Sequence, residues 1–389
     1  MSIFNETVSR RKSQSFKWDQ MEKIYNIPDA SDILPMWVAD MDFAAPKEVI
    51  EAIEKRLQHP VFGYSYVCDG CKDAIVQWFE RRYNWTIDLQ SILFHHGVVP
   101  AIASIIETFT APGDKVAIST PVYPPFFNIP TAQGRVVEAC DLVEKNGSYV
   151  FDFAALEETF KRGVRMYILC NPHNPAGVVW SREDLEQLVS LCIQYEVYLL
   201  SDEIHADIIF DNKKYVPILT VKDAEKAKII SCIAPTKTFN LAGIQAAMMV
   251  VPNSKLLAQL ELNAQAHGQM ALNAFASAAV QAAYSHGEAW LDKLISYLSI
   301  NMAYVLKELN ALEGISVTQP DGTYLLWIDY RQTGLSENDI MERLLTKGKL
   351  ALEPGTKYGQ AGEGFLRMNV ACSLATVQEG VSRFKQALA

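Results

Sequence analysis

Basic residues are in short supply in this sequence. Lysine and arginine number 35 against 45 aspartates and glutamates, a formal net charge of −10. That balance disfavours nucleic acid or an anionic membrane as the main partner, because both reward clustered positive charge. The compact cluster Arg10-Arg11-Lys12 is too short to change this. Long apolar runs are missing too: no stretch approaches the roughly 18 residues of a membrane helix. The N-terminus, M-S-I-F-N-E-T-V-S-R-R-K, has no apolar run after its basic residues, so no signal peptide is expected. The seven cysteines are odd in number and scattered, which argues against a disulfide framework and for a reducing cytoplasm. Cys68 and Cys71 form one C-x-x-C. Without a second the zinc pattern is incomplete, and no metal is expected. Nucleotide and hydrolase signatures are also absent. The run G-Q-A-G-E-G at 359–364 has the wrong spacing for G-x-G-x-x-G, and no G-x-x-x-x-G-K-[ST], G-x-S-x-G or H-E-x-x-H occurs. There is no internal repeat and no low-complexity linker.

What is present is an apolar fraction of 49% over 389 residues, enough for a large domain plus a smaller one. Short β-rich runs at 92–95, 116–119, 166–170, 197–201, 229–233 and 247–251 alternate with helix-like stretches such as 182–195. Several runs are continuously apolar, as strands buried on both faces are. This predicts an α/β fold with a mainly parallel sheet between helices. After about residue 285 the pattern changes. A long helical stretch at 288–312 leads to β-rich runs at 315–318, 323–329 and 364–370, with helices near 337–346 and from 375. The expected organisation is an N-terminal segment, 1–45, packing on both domains, then a large domain at 46–287 and a small α+β domain at 288–389.

In such sheets ligands bind outside the carboxyl ends of the strands, so the residues just after each strand carry the information. Run 92–95 leads to His96-Gly97-Val98-Val99-Pro100 and then a helix, whose N-terminal N–H groups suit a phosphate. Run 116–119 leads to T-P-V-Y-P-P-F, where proline-stiffened Tyr123 can stack on a planar ligand. Run 166–170 leads to N-P-H-N-P-A-G, a rigid loop from which Asn174 can donate a hydrogen bond. Run 197–201 leads to Asp202. A carboxylate emerging from a buried strand is costly unless it is protonated or meets a cation. His205 reads equally as a second layer around the site or as a core histidine. Run 229–233 leads to Ala234-Pro235-Thr236-Lys237, an amine where a buried strand gives way to a turn. Phosphate donors, an aromatic, an amide, an acid and a lysine match the needs of pyridoxal 5′-phosphate (PLP): a Schiff-base lysine and an acidic partner for the ring nitrogen.

Seven motifs sharpen this. They are P-M-W-V-A-D-M-D-F at 35–43, F-G-Y at 62–64, G-V-V-P at 97–100, N-P-H-N-P-A-G at 171–177, S-D-E-I-H at 201–205, T-K-T-F-N-L-A-G at 236–243 and R-M-N at 367–369. Through them the whole chain resembles the fold-type I PLP enzymes of the class I/II aminotransferase superfamily. Within these it is most similar to the bacterial cystathionine β-lyases, or C–S lyases. The resemblance implies roles. Lys237, Asp202 and Tyr123 would be catalytic: the Schiff-base lysine, the partner of the pyridinium nitrogen and the residue stacked on the ring. Asn174 would bond the ring O3′ with His205 close by. The Val98 and Val99 amides and Thr236 would hold the phosphate, and Tyr64 would reach it from the other subunit of a homodimer. Arg367 would clamp the substrate carboxylate, and Trp37 and Tyr324 would line the substrate pocket. Many relatives carry a serine three residues before the lysine; here that position is Ala234, which leaves the phosphate to the other donors.

The expected substrate is a small amino-acid thioether such as L-cystathionine, cleaved to a thiol, pyruvate and ammonia. An aminotransferase with the same residues is the nearest alternative. A PLP-fold protein with a regulatory role is another, although the intact Asn174, Asp202, Lys237 and Arg367 argue against loss of catalysis.

Overall fold

A computed structural model of the chain describes residues 2–6, 8–210, 213–269 and 271–389. Its large sheet has seven strands, in the spatial order Ile92–His95, Ala247–Val250, Lys228–Ile233, Tyr198–Asp202, Val164–Cys170, Lys115–Thr120 and Val136–Asp141. All neighbours run parallel except Ala247–Val250, which is antiparallel to both of its partners. The central strands are largely apolar because helices cover both faces. One side carries Val98–Phe109 and Ser254–Ala266, whose buried residues pack on Val116, Ile118, Met166, Ile168 and Leu200. The other carries Phe153–Lys161 and Arg182–Gln194, the latter opened by a capping box between Ser181 and Asp184.

Sheet register sets the depth of the functional loops. Cys170, Asp202 and Cys232 are Cα partners across three adjacent parallel strands, so the chain leaves all three at one level. The loop after Cys170 is stiffened by hydrogen bonds from the His173 N–H to Val178 O and from the Gly177 N–H to His173 O, at 2.8 and 2.7 Å. Gly177 has φ +67°, and a Cβ there would meet Pro320 Cβ at 2.4 Å, so glycine is required.

A second, antiparallel sheet of four strands has the order Ser316–Val317, Leu325–Asp329, Phe365–Asn369 and Glu353–Pro354. Helices Glu288–Leu309, Glu337–Thr346 and Leu374–Leu388 bury their apolar faces beside it. Its strand Phe365–Asn369 carries Arg367.

The N-terminal segment is mostly irregular. Leu34–Pro35 pairs with Leu350–Ala351, and the next residues are sewn in from two directions. Asn240 donates to the carbonyls of Met41 and Phe43 at 3.0 and 2.8 Å and accepts from the Met41 N–H at 3.0 Å. Asn369 donates to the carbonyls of Val38 and Asp40, both at 2.6 Å. Asp40 and Asp42 take Arg10 at 2.6 and 2.8 Å, and Asp42 also takes the buried Lys17 at 2.8 Å. The D-M-D of P-M-W-V-A-D-M-D-F therefore anchors the segment that carries Trp37, Val38 and Ala39.

Among the described residues no helix is long and apolar enough to cross a membrane, and no group of three or more His, Cys, Asp or Glu side chains could hold a metal ion. All seven cysteines are free. Burial pushes the Cys71 thiol up to about 12, which suits a packing residue better than a redox one.

Candidate active site

The strand ends open into a cavity of about 940 Å³ between the two sheets. Asp202, Asn174, Tyr123, His205, Thr236, Lys237, Val98, Val99, Trp37 and Arg367 all line it, so the structure brings together ten of the twelve residues expected from the sequence. Tyr64 lies elsewhere, fully exposed in its own chain. Tyr324 is fully buried and absent from the lining; it sits behind the wall and donates from its hydroxyl to Ala39 O at 2.8 Å.

Ala39 O also accepts from Lys237 Nζ at 2.6 Å. That carbonyl is held in place by the asparagine stitches on its neighbours, which fixes where the amine rests. Burial lowers the Lys237 ammonium to about 8, with Asp40 opposing the shift and Arg367 adding to it. A lysine so shifted is partly neutral near physiological pH, as a nucleophile or base needs.

Asp202 is 4% exposed. Its Oδ1 accepts from the Ile204 N–H at 3.1 Å, and no side chain among the described residues is bonded to it. Burial raises its carboxyl to about 6, while the Ile204 N–H and Lys237 pull it down. Such an acid is ionised at pH 7 and faces the cavity in want of a cationic partner. His205 is buried with Nδ1 unpartnered, and burial holds the imidazole neutral, its pKa well below the usual value. Its ring lies edge-on to Tyr324 at 6.0 Å. Burial pushes the Tyr123 hydroxyl up to about 12, with Asp202 adding to the shift, so the phenol stays protonated.

The helix Val98–Phe109 points its first turn into the cavity, with Gly97 at φ +137° as its N-cap. Thr236 adds a hydroxyl. Among the described lining residues the Lys and Arg side chains are Lys237, Lys357 and Arg367; neither the turn at Gly97 nor Thr236 brings one.

Arg367 is 3% exposed. Nη1 donates to Asn174 Oδ1 at 3.1 Å; Nη2 donates to Trp37 O at 2.6 Å and pairs with Glu353 Oε2 at 2.6 Å; Nε is buried without a partner. The bond to Arg367 occupies the Asn174 oxygen and leaves its amide N–H groups to donate elsewhere.

Glu353 and Lys357 line the cavity and were missed in the sequence, as was Gln245, whose φ of +58° marks a constrained turn. Glu353 had a findable signal: like Asp202 it directly follows an apolar run, L-A-L.

This donor set fits PLP on the structure's own terms. A cavity-facing amine, an under-partnered buried acid, an aromatic, a free amide donor and a helix N-terminus lie in one chamber. Fold and site together define a fold-type I PLP-dependent enzyme. The chain belongs to the class I and II aminotransferase family, whose profile matches residues 31–384. It is similar to the cystathionine beta-lyase PatB of Bacillus subtilis, 43% identical over 99% of both chains. Cystalysin from Treponema denticola, which contains a pyridoxal 5′-phosphate cofactor, superposes with a TM-score of 0.95 at 32% identity, over 99% of this chain and 98% of that one. The PLP-bound C–S lyase of Staphylococcus hominis superposes with a TM-score of 0.89 at 28% identity, over the same shares.

Proposed function

We propose that this chain is a PLP-dependent carbon–sulfur β-lyase that cleaves L-cystathionine or related cysteine thioethers to a thiol, pyruvate and ammonia. One observation carries the reading. In a chain 43% identical to a cystathionine β-lyase over its whole length, the Lys237 amine, lowered to about 8, shares one cavity with Asp202 and Arg367.

Lys237 would hold the cofactor covalently, with Asp202 at its ring nitrogen, Asn174 at its ring oxygen, Tyr123 on its face, and Val98, Val99 and Thr236 at its phosphate. When bound, the cofactor supplies an electrophilic carbon for the substrate amine and a sink for the electron pair left at Cα. Arg367 binds the substrate carboxylate, and Asn174 steadies the guanidinium. Lys237, once free, takes the Cα proton as general base. Asp202, ionised, favours the protonated ring nitrogen; a charge-assisted bond of this kind contributes about 1.5–3 kcal/mol. The Cβ–S bond breaks, the sulfur leaves with the bonding pair and is protonated to the thiol, and water converts the remaining carbon skeleton to pyruvate and ammonia. Tyr324 and the asparagine stitches act one layer out, through Ala39 O.

The proposal includes a homodimer with a large domain at 46–287, a small one at 288–389, and Tyr64 reaching the partner's phosphate site. Val61, Phe62, Tyr64 and Tyr66 stand 60% or more exposed on one loop, an apolar run that a second copy would cover.

An aminotransferase reading is favoured by the family match alone. A pyruvate-release assay separates the two. The purified enzyme is given L-cystathionine, cystine, cysteine and an S-alkyl cysteine, each with and without a keto acid. Release without keto acid is expected; release only with it would make the chain an aminotransferase.

A further inference from the structure

An arginine grips a carboxylate through one of two forks, Nε with Nη2 or Nη1 with Nη2. Both forks use Nη2. In Arg367 the Nη2 group donates one hydrogen to Trp37 O at 2.6 Å, and Glu353 Oε2 sits in an ion pair 2.6 Å from the same nitrogen. With a carbonyl and a carboxylate both packed against Nη2, a second carboxylate has no room to engage either fork at two points. One of the two occupants must leave. Trp37 O is backbone in the segment stitched down by Asn240 and Asn369, so it is fixed. Glu353 is a side chain, held at Oε2 by the Tyr358 hydroxyl as well as by Arg367, and it has somewhere to go. Its Oε1 lies 3.5 Å from Lys357 Nζ, loose for an ion pair, and Lys357 is partly exposed at the cavity wall, 5.8 Å above the Trp37 ring. Meanwhile the buried Arg367 Nε–H has no partner at all.

We propose that Glu353 is a resident carboxylate that occupies the Arg367 clamp and yields it to the substrate's carboxylate, moving toward Lys357 as it does so. This rests on the reading of Arg367 as the substrate clamp. Glu353 neutralises a buried guanidinium that would otherwise be costly to keep. When an amino acid enters, its carboxylate takes over that duty. An Nη2–H becomes available beside the unpartnered Nε–H, and Lys357 receives the displaced charge. Glu353 is then a positioning residue that competes with every substrate for the same fork, so it weakens carboxylate binding while keeping the empty clamp in shape.

The competing role, a brace that merely orients Arg367, predicts the opposite sign. The probe is 3-(methylthio)propionate, a thioether carboxylate without an amine, so it undergoes no cleavage. Its Kd is measured calorimetrically on the holoenzyme. In Glu353→Gln the ligand supplies the only carboxylate at the Arg367 guanidinium, and Kd is expected to fall about three- to tenfold, the scale of a partly screened like-charge contact. An unchanged or higher Kd overturns the proposal. Lys357→Met removes the landing place and is expected to raise Kd several-fold in the otherwise unaltered protein, with little effect in the Glu353→Gln background. An equal rise in both backgrounds overturns the hand-over. Arg367→Leu is expected to abolish probe binding, and retained binding overturns the clamp itself. None of these outcomes depends on β-elimination, so a chain that fails to release pyruvate from any thioether would sink the lyase reading and leave the Kd comparison standing.

Discussion

Asp202 and Glu203 are adjacent and equally deep, 4% and 1% exposed, yet they face different parts of the molecule. Glu203 points into the packed side. Ser201 Oγ lies 2.7 Å away, the Ile218 N–H donates at 3.2 Å, and Tyr215 bonds its other oxygen. Burial pushes its carboxyl up to about 8 against those donors, so it is largely neutral at pH 7. Asp202 points into the cavity with a backbone N–H as its bonded donor, and at about 6 it is ionised at the same pH. The packed side holds a neutral acid in a closed set of bonds. The cavity side holds a charge with an empty place beside it. Glu203 is completed by neighbours where it only packs, and Asp202 is left open where a ligand is to complete it.

The widest break in that comparison should come from Asp202→Asn. Turnover is expected to fall about 10²–10³-fold, the usual cost of losing a preorganised electrostatic partner. The same change should stabilise the cofactor-free protein. The Asp202 pKa is raised on folding, from 3.8 to about 6, so the wild type loses stability as pH rises through that window. The variant's advantage in thermal melts should grow from pH 4 to pH 7, to on the order of 3 kcal/mol. A pH-independent difference, or near-normal turnover, would break the comparison. Asn369→Ala should do less to turnover and more to stability. It frees the carbonyls of Val38 and Asp40, which flank the one that holds Lys237, and should cost about 1–3 kcal/mol by denaturant titration. Loss of turnover without loss of stability would show that Asn369 acts in some way other than through this stitch. The smallest effect on turnover belongs to Glu203→Gln. In the fold at pH 7 it exchanges one neutral group for another away from the cavity, so turnover should stay near the wild-type value. The carboxyl is raised on folding from 4.5 to about 8, so the wild type should lose stability as pH rises through that window and level off above it, while the variant should not.

Much of the fold was legible because burial on both faces leaves a strand no polar position. The runs at 166–170 and 229–233 lie inside Val164–Cys170 and Lys228–Ile233 for that reason. Val136–Asp141 escaped notice because it is the half-exposed edge and reads as mixed polarity. The reversed direction of Ala247–Val250 has no signature in its own residues; only its partners define it. In the site, residues immediately after strands were legible since topology alone delivers them to one edge. Tyr324 lies farther back than expected: just before the strand Leu325–Asp329, it bonds the Ala39 carbonyl from behind and does not face the chamber. The tasks of Asn240 and Asn369 depend on partners up to 331 residues away, which spacing along one segment cannot express.

The most direct test of the account is borohydride trapping. The yellow holoenzyme is reduced, digested and mapped by mass spectrometry. The account predicts a single pyridoxyl label on the peptide carrying Lys237, and no label in Lys237→Ala. A label on another lysine, or none, would contradict it.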